Sequence, residues 1–149
     1  MIWKHCWVLV FLVLLGCGQK TVDPEAARKL SDEFMSDLIA HRADDAFDKM
    51  EREFSTTVHR PDFAPQLDKL FQYWYCGWPQ DSELKDVQVG YKIYADGHKH
   101  PTRKFIYAAT TNQFAKGQCY FAVEVVRSSD GVRVTSFGPL RVMDYPTYP

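Results

Sequence analysis

The sequence predicts an α+β domain in which three N-terminal helices pack on a four-stranded antiparallel sheet. Apolar residues first recur at spacings of three and four, and after about residue 83 they alternate with polar residues instead. Short turns separate the alternating segments, which indicates an antiparallel meander. The 149 residues suffice for one domain, and helices followed by strands are typical of the α+β class.

The composition excludes several classes of protein. Hydrophobic residues make up 46% of the chain and charged residues 25%, which excludes disordered and multi-span membrane proteins. The formal net charge is −1, so a strongly basic nucleic-acid-binding protein is excluded and no nucleic-acid partner is expected.

The first 16 residues are predicted to be a signal peptide. Lys4 is followed by an unbroken apolar run over residues 6–15, about half the length that a membrane-spanning helix needs. The run leads into Leu14-Leu15-Gly16-Cys17, which resembles the lipobox of bacterial lipoproteins. The resemblance implies cleavage before Cys17, acylation of its thiol with chains such as palmitate, and a lipid anchor in the cell envelope. An ordinary cleaved signal with an incidental cysteine is the alternative.

Residues 17–22 are predicted to be a lipidated tether, and residues 23–142 the folded domain. The five residues after Cys17 reach at most about 17 Å when extended, which keeps the domain close to the membrane. Gly18 stands where lipoproteins retained in the inner membrane carry Asp, so the resemblance implies the periplasmic side of the outer membrane if the cell is Gram-negative. Residues 143–149, with two prolines, are predicted to be a C-terminal tail.

Two cysteines are left for the folded domain, because Cys6 leaves with the signal peptide and Cys17 carries lipid. Export to an oxidising compartment favours a disulfide between Cys76 and Cys119. Two separate buried thiols that pack as small apolar residues are the alternative. Neither cysteine has a partner at CxxC spacing, so a redox role is not expected.

Three helices are predicted before the sheet. The first covers about residues 23–41, because Asp23 is a typical N-cap residue and is followed by proline. A second, shorter helix starts at Asp44, and residues 55–60 connect it to a third helix that ends at Gly77. The residues expected to be buried follow helical spacing: Ala27, Leu30, Phe34, Leu38, His41, Ala46, Phe47, Met50, Phe54, Leu67, Leu70, Phe71 and Trp74.

Four strands are predicted from the alternating segments, at residues 87–93, 105–111, 119–125 and 132–142. The face of the two central strands that points away from the core also carries little charge, with Ile106, Ala108, Thr110, Ala122 and Val126. This pattern indicates either a face covered by a dimer partner or by the C-terminal tail, or a tolerant surface of small residues.

Helices followed by a long meander resemble the NTF2-like (cystatin-like cone) superfamily, which includes small exported lipoproteins. The resemblance rests on Leu38–Phe47, where one predicted helix ends and the next begins at a short acidic segment. It also rests on strand segments at residues 107–114, 120–126 and 130–134. It implies a curved sheet, a cone-shaped cavity between sheet and helices, and homodimers through the sheet face. It does not imply one activity, because function depends on the site rather than on the fold.

Tyr107, Phe121 and Trp74 are the candidates for lining a ligand cavity in such a cone. In members of the superfamily that act as isomerases or dehydratases, a cavity Asp, His or Tyr transfers a proton. Tyr107 faces the core in the predicted register, where a buried phenol usually finds a hydrogen-bond partner.

His98 and His100 form the most metal-like local cluster in the sequence. Zinc sites need three or four ligands, however, and Lys99 between the two histidines would repel a cation. A solvated turn is therefore favoured over a weak metal site, and no metal or cofactor is expected.

The sequence favours a non-enzymatic protein, because no acid–base pair, catalytic triad or Gly-rich phosphate loop is evident in it. We therefore expect a membrane-anchored lipoprotein whose domain binds a ligand or an envelope protein, or assembles as a homodimer. The alternative is a small cavity enzyme of the isomerase or dehydratase type.

Overall fold

The structure, a computed structural model, describes residues 21–73, 76–113 and 119–140. Some of the sequence predictions fall outside these ranges: the signal peptide (1–16), the lipidation of Cys17 with most of its tether (17–22), the cavity role of Trp74 and the C-terminal tail (143–149).

The described chain is an α+β domain with four helices and an open, four-stranded antiparallel sheet, so the predicted fold class is confirmed. The helices are α1 (Pro24–Ile39), α2 (Ala43–Asp48), α3 (Arg52–Thr57) and α4 (Arg60–Tyr73). The strands are β1 (Glu83–Ile93), β2 (Lys99–Ala109), β3 (Cys119–Ser128) and β4 (Gly131–Leu140). They lie in the order β1-β2-β3-β4, as expected of a meander. None of the described helices is long and apolar enough to cross a membrane.

Helix α1 confirms the first predicted helix. The Asp23 side chain accepts a hydrogen bond from the backbone N–H of Ala26 at 2.8 Å, and Pro24 occupies the first turn. The helix ends at Ile39, two residues before the predicted end, because His41 adopts a left-handed conformation with φ of 57°. His41 thus lies beyond the helix and is exposed, so its predicted place on the buried stripe is wrong.

The second predicted helix is wrong as a single element: the structure has two short helices there, so four helices precede the sheet instead of three. The break lies at residues 49–51, which pair with β4. The Glu51 N–H donates to the Val134 carbonyl and the Val134 N–H donates to the Lys49 carbonyl, both at 2.9 Å. Backbone groups engaged in this bridge cannot also continue a helical hydrogen-bond ladder. The predicted connector over residues 55–60 is correspondingly shorter, because α3 runs to Thr57.

The hydrophobic core lies between the helices and one face of the sheet. Phe34 and Leu38 of α1 are buried against that face, where Phe105, Phe121 and Val123 are also inaccessible. A set of aromatic rings from α2, α3 and α4 continues this core to Phe137 of β4: Phe47, Phe54 and Phe63.

The opposite face of the two central strands is also buried within the single chain. Ile106 and Ala108 of β2 and Val126 of β3 are each at most 2% exposed, and Ala122 is 9% exposed. Of the interpretations that the sequence left open, a covered face fits this burial better than a tolerant surface.

The predicted pairing of Cys76 with Cys119 is confirmed. The two residues are joined as a disulfide, and their Cα atoms are 5.8 Å apart. Cys76 follows α4 and Cys119 begins β3, so the bond ties the last helix to a central strand.

We expect the double substitution Cys76→Ser/Cys119→Ser to lower the free energy of unfolding by about 4 kcal/mol, because the bond closes a long loop and restricts the unfolded chain. Urea unfolding of the oxidised wild type, the reduced wild type and the double variant measures the effect. The reduced wild type should match the variant. Equal urea midpoints for all three would contradict a stabilising role.

Candidate functional site

An open cleft of about 630 Å³ lies at the end of the sheet where the two hairpin turns meet the break between α2 and α3. Three segments line it: residues 51–53 at the start of α3, residues 94–101 at the β1–β2 turn, and residues 127–129 at the β3–β4 turn. These segments are far apart in sequence, and the antiparallel meander brings both turns to one end of the sheet.

The buried carboxylate of Glu51 forms one wall of this cleft. The residue is only 5% exposed, yet its side chain is fully engaged. The Tyr94 hydroxyl donates to it at 2.8 Å, and Lys92 Nζ and the Thr135 hydroxyl donate to its other oxygen. Thr135 is available for this contact because it is the extra residue at an irregularity between β3 and β4.

Protonation in this cluster is set by burial and by the hydrogen bonds. Burial acts to raise the pKa of Glu51, but the hydrogen bonds from Lys92, Thr135 and Tyr94 outweigh it and hold the pKa below its ordinary value. Burial acts to lower the pKa of Lys92, and its contacts with Glu51 and Glu53 raise it overall. Burial and the neighbouring Glu51 raise the pKa of Tyr94. At neutral pH the cluster therefore consists of a carboxylate, an ammonium and a protonated phenol. These three groups are hydrogen-bonded to one another, and each keeps its proton state near neutral pH.

Three cationic side chains line the cleft without an ion pair in the part of the chain that the structure describes: Arg52, Lys99 and Arg127. Three acidic side chains also line the cleft: Glu51 and Glu53 accept hydrogen bonds from Lys92, and Asp96 accepts one from the His98 backbone N–H. The three cations are consequently available to a ligand. Guanidinium and ammonium groups in such a setting suit a carboxylate, phosphate or sulfate group.

The two histidines that the sequence singled out lie at the turn beside this cleft. The His98 backbone N–H donates to the Asp96 side chain at 2.9 Å, and the His100 ring packs edge-on against Tyr94 with ring centroids 4.8 Å apart. Among the described residues, no group of three or more His, Cys, Asp or Glu side chains is arranged to hold a metal ion.

Two of the predicted cavity residues, Tyr107 and Phe121, lie elsewhere, in the core between helices and sheet. The Tyr107 hydroxyl is within hydrogen-bond distance of Ser31 (2.7 Å) and donates to Asp32 (2.8 Å), and burial raises its pKa. Phe121 packs on Phe71 with ring centroids 5.6 Å apart. Neither residue lines the cleft, and a ligand cavity around them stays a prediction.

Sequence reasoning missed the Glu51 cluster and the cleft. One local signal was present: Lys92 and Tyr94 alternate with Tyr91 and Ile93, which marks a strand with a polar row on one side. The partner of that polar row, Glu51, lies about forty residues earlier in the chain, and no local pattern connects the two.

The chain matches no protein-family model, and no curated protein or solved structure is significantly similar to it.

We expect Glu51→Gln to lower the free energy of unfolding at pH 7 by about 2 kcal/mol, because the amide replaces a charged acceptor of three hydrogen bonds. The pKa of Glu51 is depressed in the folded state, so its contribution is complete above the unfolded-state pKa and is lost as the pH falls through the folded-state pKa. The gap between wild type and variant should therefore close below about pH 4.

Urea unfolding between pH 7 and pH 3 measures this gap, with Glu53→Gln as the matched control. The carboxylate of Glu53 is half exposed and, among the described residues, accepts a hydrogen bond only from Lys92, so its substitution should change stability little. A gap for Glu51→Gln that is absent at pH 7, or that stays constant to pH 3, would contradict the role given to this carboxylate.

Proposed function

We propose that the protein is a lipid-anchored bacterial lipoprotein whose α+β domain binds a ligand or partner at the cell envelope and is not catalytic. The Cys76–Cys119 disulfide is the observation that carries the proposal, because such bonds persist in oxidising compartments outside the cytoplasm. The string Leu14-Leu15-Gly16-Cys17 supplies the export and lipidation signal that a disulfide-bonded envelope protein needs. Gly18 after the cysteine favours the periplasmic side of the outer membrane in a Gram-negative cell.

The proposed domain type is an NTF2-like cone. Helices that precede a four-stranded meander, with α1 packed on β2, β3 and β4, support this proposal. A fold of this type hosts many functions, so the site decides among them.

The proposed binding site is the cleft lined by Arg52, Lys99 and Arg127, and its ligand carries an anionic group. The isomerase or dehydratase alternative depends on Tyr107, whose hydroxyl group is hydrogen-bonded to Ser31 and Asp32. These hydrogen bonds favour a ligand-binding protein over an enzyme that transfers a proton through Tyr107. Envelope proteins and a second copy of the chain through the sheet face are further candidate partners.

We expect Cys17→Ala to abolish membrane retention in the producing bacterium, because without an acylated thiol the exported domain has no lipid anchor. Two or more acyl chains give stable anchoring where one does not. Fractionation of cells together with metabolic labelling by a palmitate analogue measures retention and acylation.

Cys6→Ala is the matched control, since it removes a cysteine from the signal peptide and leaves the lipobox intact. The control should stay in the membrane fraction and carry label. Retention of the Cys17→Ala variant in the membrane fraction would overturn the lipoprotein proposal.

A further inference from the structure

Edge strand β1 exposes a continuous apolar row, which consists of Val87, Val89, Tyr91 and Ile93. Their side chains are 41%, 71%, 63% and 63% exposed, respectively. They are spaced by two residues and so lie on one face of the strand. Exposed apolar rows on an edge strand mark an interaction surface, because natural sheets otherwise protect their edges with charge.

The row lies on the side of the sheet that carries the core, next to the helices. Val87 pairs directly with Phe105, a core residue of β2, and directly paired residues share a face. Helix α1 packs on β2, β3 and β4, and the exposure of the row shows that β1 extends past this cover. The row thus extends the core face of the sheet beyond the helices, and this extension is exposed to solvent.

The described chain begins beside this row. Arg103, the cross-strand neighbour of Val89, donates from Nε to the Val22 carbonyl at 3.3 Å. Val22 is itself 2% exposed, so the point at which the tether joins the domain is fixed. Cys17 lies five residues earlier, a distance of at most about 17 Å. A lipid on Cys17 therefore holds the row close to the headgroups.

The hairpin that carries the row is positively charged, although the whole chain has a formal net charge of −1. Its basic residues are Lys85, Lys92, Lys99, Arg103 and Lys104, and its acidic residues are Glu83, Asp86 and Asp96. Lys85 and Lys92 are paired with carboxylates of the same chain, but Lys99 and Arg103 lie directly opposite Ile93 and Val89 of the row and have no ion pair among the described residues. Basic side chains beside an apolar row are the combination that attracts a surface to anionic lipid.

We propose that the β1–β2 hairpin rests on the anionic membrane surface, with the row of Val89, Tyr91 and Ile93 set among the lipid headgroups. This inference rests on the proposed lipid anchor at Cys17 and adds an orientation to it. Tyr91 suits the interface because its ring is apolar and its hydroxyl stays hydrated. The occupant of the row is a phospholipid surface containing phosphatidylglycerol or another anionic lipid.

The test uses the acylated full-length mature protein in vesicles, with a nitroxide label on Ile93→Cys. The native cysteines of the mature chain are lipidated or paired, so the introduced thiol is the reactive one. Exposed Gln66 of α4 supplies the control position as Gln66→Cys. Power saturation of each label with oxygen and with a water-soluble nickel complex reports immersion in lipid.

We expect the label at position 93 to lose its accessibility to nickel in vesicles of phosphatidylethanolamine with phosphatidylglycerol, and the label at position 66 to keep it. Omission of phosphatidylglycerol, or the second change Val89→Ser/Tyr91→Ser, should restore accessibility at position 93. Immersion that persists without anionic lipid would overturn the charged-surface proposal.

Three further outcomes distinguish a failure of the proposed orientation, of the proposed lipid anchor and of the membrane as the occupant. Vesicle-bound protein whose label at position 93 stays as accessible to nickel as the label at position 66 overturns the docking surface and leaves the lipoprotein proposal standing. Protein that lacks acyl chains and does not bind vesicles overturns both. Dipolar broadening between labels at position 93 in detergent would overturn the membrane assignment in favour of a second copy of the chain.

Discussion

The buried carboxylate of Glu51 is the constraint on which the arrangement of helices and hairpins depends. A charge that is 5% exposed is tolerated only when its hydrogen bonds are made, and here Lys92, Tyr94 and Thr135 make them. The backbone N–H of the same residue is bonded to Val134. β1 and β4 are the two edges of the sheet, so one residue joins the break between α2 and α3 to both edges.

This constraint also shapes the surface that the protein offers to ligands. Two residues before Glu51, Lys49 binds the buried Asp37 of α1 at 2.6 Å, so the break is held from both sides. The acidic groups at the break, Glu51 and Glu53, are engaged with Lys92, and Arg52 and Arg127 line the cleft without an ion pair among the described residues. The β1–β2 hairpin contributes one wall of the cleft and also carries the apolar row of β1.

Most of the fold was predictable from local sequence patterns. The N-cap at Asp23, the change of hydrophobic period near residue 83 and the isolated pair of cysteines each predict a feature that the structure contains. The split of the second helix was not predictable in this way, because the pairing partner of residues 49–51 is Val134, more than eighty residues later. The cleft was missed for the same physical reason: its walls come from three separate segments, and each is an ordinary turn or helix start when taken alone.

The lipoprotein that we propose is, in its mature form, an acylated, disulfide-closed envelope domain that begins at Cys17. Intact-mass spectrometry of the protein purified from the membrane of the producing bacterium tests it most directly. We expect a chain that starts at Cys17, carries the mass of a diacylglyceryl group with or without a further acyl chain, and lacks two hydrogens because Cys76 and Cys119 are joined. A chain without lipid mass, or one with both thiols reduced, would contradict this proposal.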